Sequence, residues 1–199
     1  GFLILFNGRR YAELTGRDAA ALGKADAADA IAAARREGFP RGAVLFLDQE
    51  EGGRLLPEQN AYLYAWVDQV RQSEYRPGVY CSGIEAGSGS GRISTAQDIV
   101  SHEKETPRRS AIALWVFNDQ CPPSPGCVLP HTALSPGMSG STQARVWQYA
   151  LSPRRPEFAR QCAATYAADG NCYAPGVPPG SRSFVDLNVS ESADPSAGR

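Results

Sequence analysis

The sequence predicts an α/β protein, a parallel sheet covered by helices. Two patterns carry that reading. Short, continuous apolar runs recur along the chain, as strands buried on both faces require. Between them lie longer segments with apolar residues at helical spacing and with helix start and stop signals. With 20 Gly and 15 Pro in 199 residues, the connections are loop-rich. A doubly wound open sheet and a (β/α)8 barrel both satisfy this alternation.

Residues 2–6 (FLILF) read as a buried strand. Residues 18–37 are Ala-rich with Ala and Ile at helical spacing, and stop at Gly38-Phe39-Pro40. Residues 43–48 (AVLFLD) form a second strand. Pro57 occupies a first-turn position of a helix running to about residue 73, with Tyr62, Leu63, Trp66, Val67 and Val70 on one stripe. Residues 78–81 are a third strand, 93–104 a helix and 111–117 (AIALWVF) a fourth strand. Residues 126–141 read as loop, 144–149 (ARVWQY) as a fifth strand, 156–166 as a short helix and 183–187 (SFVDL) as a sixth strand. The polar residues 191–199 should fray. The chain opens directly on an apolar strand with no initiator Met, which reads as a piece or a processed chain with upstream sequence missing.

Lys plus Arg total 20 and Asp plus Glu 21, so the formal charge is -1. That balance excludes a general nucleic-acid binder, which needs a basic excess. No apolar run approaches the roughly 20 residues that span a bilayer. Neither GxGxxG nor GxxxxGK[ST] follows a strand, which weakens a nucleotide-binding reading. The run EAGSGSG at 85–91 reads as a flexible loop.

Of five cysteines, four fall into two close pairs, and the simplest pairing is local: Cys121 with Cys127 and Cys162 with Cys172. Their spacing does not suit zinc, and only His102 and His131 are available to help; both read as surface residues. Cys81, at the end of an apolar strand, reads as a buried free thiol. Two cysteine pairs favour an exported protein in an oxidising compartment.

Polar residues gather where strands end, the place parallel α/β folds keep their sites. Asp48-Gln49-Glu50-Glu51 ends the second strand, Asn118-Asp119 the fourth, and Asp186 and Asn188 the sixth. Residues i and i+2 of a strand share a face, so Val44, Phe46, Asp48 and Glu50 point one way and Glu51 the other. Two residues rise about 6.6 Å, which sets the two carboxyls about 5 to 9 Å apart. Glycosidases flank the scissile bond with carboxyls at that separation. Burial and mutual repulsion would keep one of them protonated. The competing reading is a solvated acidic turn. Asp186 is either a turn residue or a third acid that tunes the pair. Tyr80, Trp115, Trp147 and Tyr149 could stack on sugar rings or fill the core. Trp147 and Tyr149 share a face opposite Gln148, and the sequence leaves open which face looks inward.

The order of FLDQEEG (46–52), YRPGVYCSG (75–83), ALWVFND (113–119), VWQYA (146–150) and FVDLN (184–188) resembles the glycoside hydrolase family 25 lysozymes. It resembles more closely their glycoside hydrolase-like relatives, domain of unknown function 1906. The resemblance implies a (β/α)8 TIM-type barrel over residues 1–190, incomplete at its N-terminus with about six of eight strands, followed by a polar tail at 191–199. It implies a domain that acts on or binds cell-wall polysaccharide or peptidoglycan, with no metal or organic cofactor, secreted or on the surface of a bacterial-type cell. Glu50 would be the general acid, with Asp48 and Asp186 assisting. Tyr80, Trp115, Asn118, Trp147, Gln148 and Tyr149 would meet substrate. Two rivals stand beside the hydrolase: a non-catalytic glycan-binding module on the same barrel, and an unrelated enzyme on an open sheet.

Overall fold

The computed structural model of the chain describes residues 1–106, 111–129, 133–158 and 161–196. Six strands form one sheet in chain order: β1 (Ile4–Phe6), β2 (Val44–Gln49), β3 (Arg76–Ser82), β4 (Ala113–Phe117), β5 (Ala144–Ala150) and β6 (Leu187–Ser190). The first five are parallel neighbours and β6 lies antiparallel to β5. The helices are a single turn α1 (Tyr11–Leu14), which the sequence reading missed, and α2 (Ala19–Arg36), α3 (Pro57–Arg71) and α4 (Thr95–Glu105).

Local chemistry sets these helices. The Asp18 carboxylate accepts the Ala21 N–H at the start of α2, and Arg35 and Arg36 occupy its last turn, matching both ends of the helix dipole. Ser94 and Gln97 cap α4 reciprocally, at 3.1 Å each way. α2 packs on α3 at a backbone approach only glycine permits: a Cβ on Gly23 would lie 2.2 Å from the Tyr62 carbonyl oxygen.

Alternation along the strands separates two faces. Leu45, Leu47, Val79, Cys81, Leu114 and Val116 form one core with Ala27, Ile31, Leu63, Trp66, Val67 and Ile99 from the helices. Val44, Phe46, Ala113, Leu3 and Trp115 form a second cluster on the opposite, inner face. That face is concave. The Tyr80 hydroxyl of β3 bonds Gln148 of β5 across β4, and Trp115 Nε1 of β4 donates to Asn188 Oδ1 of β6 across β5 at 2.9 Å. Strands two apart in a flat sheet are separated by about 9.5 Å, so curling is what brings these side chains together. The architecture is a curled six-stranded half-barrel.

Four expectations change. The last strand is not residues 183–187 running parallel but Leu187–Ser190 running antiparallel. Residues before it are held by the cysteine-rich loop: Val185 N–H donates to the Cys172 carbonyl at 2.9 Å, and Phe184 bridges Tyr173. The helix expected over 156–166 is two 3-10 turns, Pro156–Phe158 and Ala163–Thr165, with Cys162 at φ +51° between them. The cysteines pair crosswise, Cys121 with Cys162 and Cys127 with Cys172, Cα atoms 6.0 and 5.5 Å apart. Sequence proximity misled here because the segments on either side of β5 meet over its outer face, where Cys127, Leu134, Tyr166 and Cys172 pack with Trp147 and Tyr149. Cys81 is a buried free thiol, as expected. The tail does not fray through residue 196: Ser196 is fully buried and its carbonyl accepts the Val44 N–H at 2.8 Å. Among the described residues, no helix is long and apolar enough to cross a membrane.

Candidate functional site

The C-terminal end of β2 carries the acids. Asp48 continues the inner face of Val44 and Phe46, and Glu50 follows it, exposed. The loop after β1 forms the opposite wall of a cleft of about 530 Å³ lined by Asn7, Gly8, Arg9, Arg10, Glu13, Asp48, Gln49, Glu50 and Glu51. Gly8 is required there, since a Cβ would fall 2.0 Å from the Asp48 carbonyl oxygen. Arg9 is fixed by Asp26, whose carboxylate takes Nε and an Nη at 2.7 Å each and the Tyr62 hydroxyl at 2.7 Å. Glu51, turned the other way, accepts the Tyr11 N–H and the Gln59 side-chain amide, both at 2.7 Å. It braces the cleft wall against α3. These wall residues were missed in the sequence, although Asn7-Gly8-Arg9-Arg10 is itself a polar run at a strand end.

Asp48 is half-buried, and its Oδ1 is buried with no hydrogen-bond partner. Loss of water, and then the Glu50 charge, push its carboxyl up from 3.8 to about 6. Tyr80 lies in register with Asp48 on β3 and Trp115 with Tyr80 on β4. Burial, then the charges of Glu50, Asp48 and Asp186, raise the Tyr80 phenol well above its ordinary range. The Tyr80 hydroxyl donates to Gln148 Oε1, and Gln148 Nε2 donates to Asp186 Oδ2 at 3.0 Å. Asp186 stands just before β6, with Oδ1 taking the Ser152 N–H at 2.7 Å. Its carboxyl is raised chiefly by desolvation.

A family model described as "Rv2525c-like, glycoside hydrolase-like domain" matches residues 1–154. The chain belongs to this family of glycoside hydrolase-like domains. The match takes in Asp48, Glu50, Tyr80 and Gln148 and stops before Asp186. No curated protein matches. One solved structure, titled an uncharacterized B. stearothermophilus protein, is similar at 23% identity with a TM-score of 0.49. The alignment covers 74% of this chain and 62% of that one.

Of the other expected binding residues, Trp115 and Gln148 lie on the inner face, while Asn118, Trp147 and Tyr149 lie elsewhere. Trp147 and Tyr149 point to the outer face, buried with Cys172. Trp147 Nε1 donates to the Asn118 carbonyl at 2.8 Å, and the Tyr149 hydroxyl to that of Val128 at 3.2 Å. Asn118 is buried and spends its amide on the Ser139 carbonyl. Gln148 is the inward member of that strand, settling the question the alternation left open. Trp115 is half-buried on the inner face. Asp119 pairs with Arg155, whose guanidinium lies over the rings of Phe117 and Phe158. His102 stacks on Tyr64 with ring centroids 3.9 Å apart, and His131 lies outside the described residues. Among the described residues no three His, Cys, Asp or Glu side chains cluster to hold a metal.

Proposed function

We propose that this domain is a secreted glycoside hydrolase that cuts β-1,4 bonds of cell-wall glycan, peptidoglycan foremost, with Glu50 and Asp48 as its working pair. The setting of that pair is the supporting observation. One carboxyl is exposed at the mouth of a cleft large enough for a sugar ring. The other is recessed, short of a hydrogen bond and raised to about 6. A proton donor beside the leaving oxygen is what general-acid catalysis needs, and Glu50 stands at the cleft mouth for that role. Asp48, once ionised, stabilises positive charge at the sugar carbon; burial holds that ionisation back to about pH 6. Trp115, half-buried on the inner face, offers ring surface to the sugar. The reaction so drawn uses neither a metal nor an organic cofactor. The two disulfides accord with work outside the cell.

One observation favours the second reading, a glycan-binding module. Asp186 has one oxygen on the Gln148 amide and the other on the Ser152 N–H, which suits a support of the inner face better than a group meeting the reacting centre. Incubation with purified peptidoglycan sacculi separates the two. The hydrolase reading expects new reducing ends, at a rate that rises as Asp48 ionises through about pH 6. Glu50→Gln should lower that rate by about 10²–10⁴-fold with an unchanged circular dichroism spectrum. Sacculi that retain the protein while yielding no reducing ends would establish the module instead.

A further inference from the structure

Three facts meet at Tyr80. Asp48 Oδ1 is buried without a hydrogen bond, although Tyr80 stands in register beside it and carries a hydroxyl. That hydroxyl spends its one proton on Gln148. Gln148 in turn lies between Tyr80 and Asp186. A carboxylate only accepts, so Gln148 must turn Nε2 toward Asp186 and Oε1 toward Tyr80. Facing an acceptor, Tyr80 must donate. The relay therefore has a fixed direction, set at the Asp186 end. Asp186 is itself held firmly. Ser152 gives its N–H to Oδ1, donates its hydroxyl to the Val185 carbonyl at 2.7 Å and accepts the N–H of disulfide-bonded Cys172 at 2.8 Å.

We propose that Gln148 is a positioning residue: oriented by Asp186, it draws the Tyr80 hydroxyl proton away from Asp48, so that Asp48 lacks the hydrogen bond that would stabilise its ionised form. This deepens the reading of the Asp48–Glu50 site given above, but its test needs no glycan. The other charged groups around Asp48 are Glu50 and Glu51 at its own strand end, and Arg9, Arg10 and Glu13 across the cleft. Arg9 is committed to Asp26, Glu13 to the Arg10 N–H and Glu51 to Tyr11 and Gln59. Tyr80 is the neutral donor whose direction a distant residue controls.

The experiment is a carbon-13 NMR titration of the Asp48 carboxyl in the intact chain. The wild-type midpoint should lie near 6. In Gln148→Met, which keeps the volume and removes the acceptor, the phenol proton becomes available to Asp48. The midpoint should fall by about one pH unit, the worth of a hydrogen bond to a charged group. Tyr80→Phe alone should leave the midpoint within a few tenths of wild type, and the double variant should return to it. An unshifted Gln148→Met overturns the proposal, as does a double variant that stays low. A rise in Tyr80→Phe does the same, because it would mean that the phenol already served Asp48. Should Gln148→Met not fold, Gln148→Leu, which also removes the acceptor, takes its place with the same expected fall and the same overturning result. Titrations that behave as expected in a protein that releases no reducing ends would uphold this inference and retire the hydrolase.

Discussion

At the scale of single residues, Asp48 couples the site to the stability of the fold. Its carboxyl is raised from 3.8 unfolded to about 6 folded. The folded state therefore binds the proton more tightly, and between about pH 4 and 6 it holds more protons than the unfolded chain. Stability must fall as pH rises through that window and level off above it. Two pH units correspond to nearly 3 kcal/mol; discounted for a half-buried group, about 2 kcal/mol is expected. Asp48→Asn should remove that part of the pH dependence and stabilise the protein at pH 7 by up to about 2 kcal/mol. Urea melts of both proteins at pH 4 and pH 7 measure it, the difference between proteins cancelling groups such as Glu74. That carboxyl is held down to about 2 by Arg35 and pulls the other way. An acid whose removal strengthens the fold is retained at a cost, as working groups in a cleft are.

Among the elements, those with a strong local signal were legible and those set by long-range partners were not. β2, α2 and α3 follow from apolar spacing and caps that lie within each segment. The direction of β6 depends on the loop behind it. Whether Gln148 or its neighbours look inward depends on the outer layer, where the disulfide-linked segments on either side of β5 cover it. That cover has little regular structure and is held instead by Cys121–Cys162 and Cys127–Cys172, with the Trp147–Tyr149 cluster beneath. The crosswise pairing closes segments separated by 41 and 45 residues rather than two short loops. Closing a loop of about 45 residues is worth about 4 kcal/mol in the chain-entropy model. Replacing Cys127 and Cys172 together by Ser should lower stability by up to that amount in denaturant melts. Because Cys172 anchors Ser152 and thus Asp186, the loss should come with altered NMR signals at Gln148. A non-reducing peptide map of the unaltered chain that recovers Cys121–Cys162 and Cys127–Cys172 peptides, and neither local pair, checks the connectivity directly.

For the whole molecule, what matters is how a half-barrel keeps its concave face in shape. Its curl rests on side-chain bonds that step over a strand, Tyr80 to Gln148 and Trp115 to Asn188, and on a strap beneath. After β6 the chain runs from Glu191, bonded to the Arg145 carbonyl, to Ser196, whose carbonyl takes the Val44 N–H at the start of β2. A Cβ on Gly1 would lie 2.5 Å from the Ala193 carbonyl oxygen, so the strap also packs against the approach to β1. Two remote parts of the sheet, the β5–β6 side and the β1–β2 side, are thereby tied at the end opposite the acids. Val44 is 1% exposed, so removing its partner leaves a buried N–H unsatisfied. That costs about 1–3 kcal/mol. A chain ending at Ser190 should melt at correspondingly lower urea. It should also lose the narrow signals of Asp48 and Tyr80, because β2 would no longer be pinned from below. A chain ending at Ser196 should match the full protein within about 0.5 kcal/mol. If the two truncations behave alike, the strap does not hold the curl, and the Tyr80–Gln148–Asp186 relay must be maintained by the concave face alone.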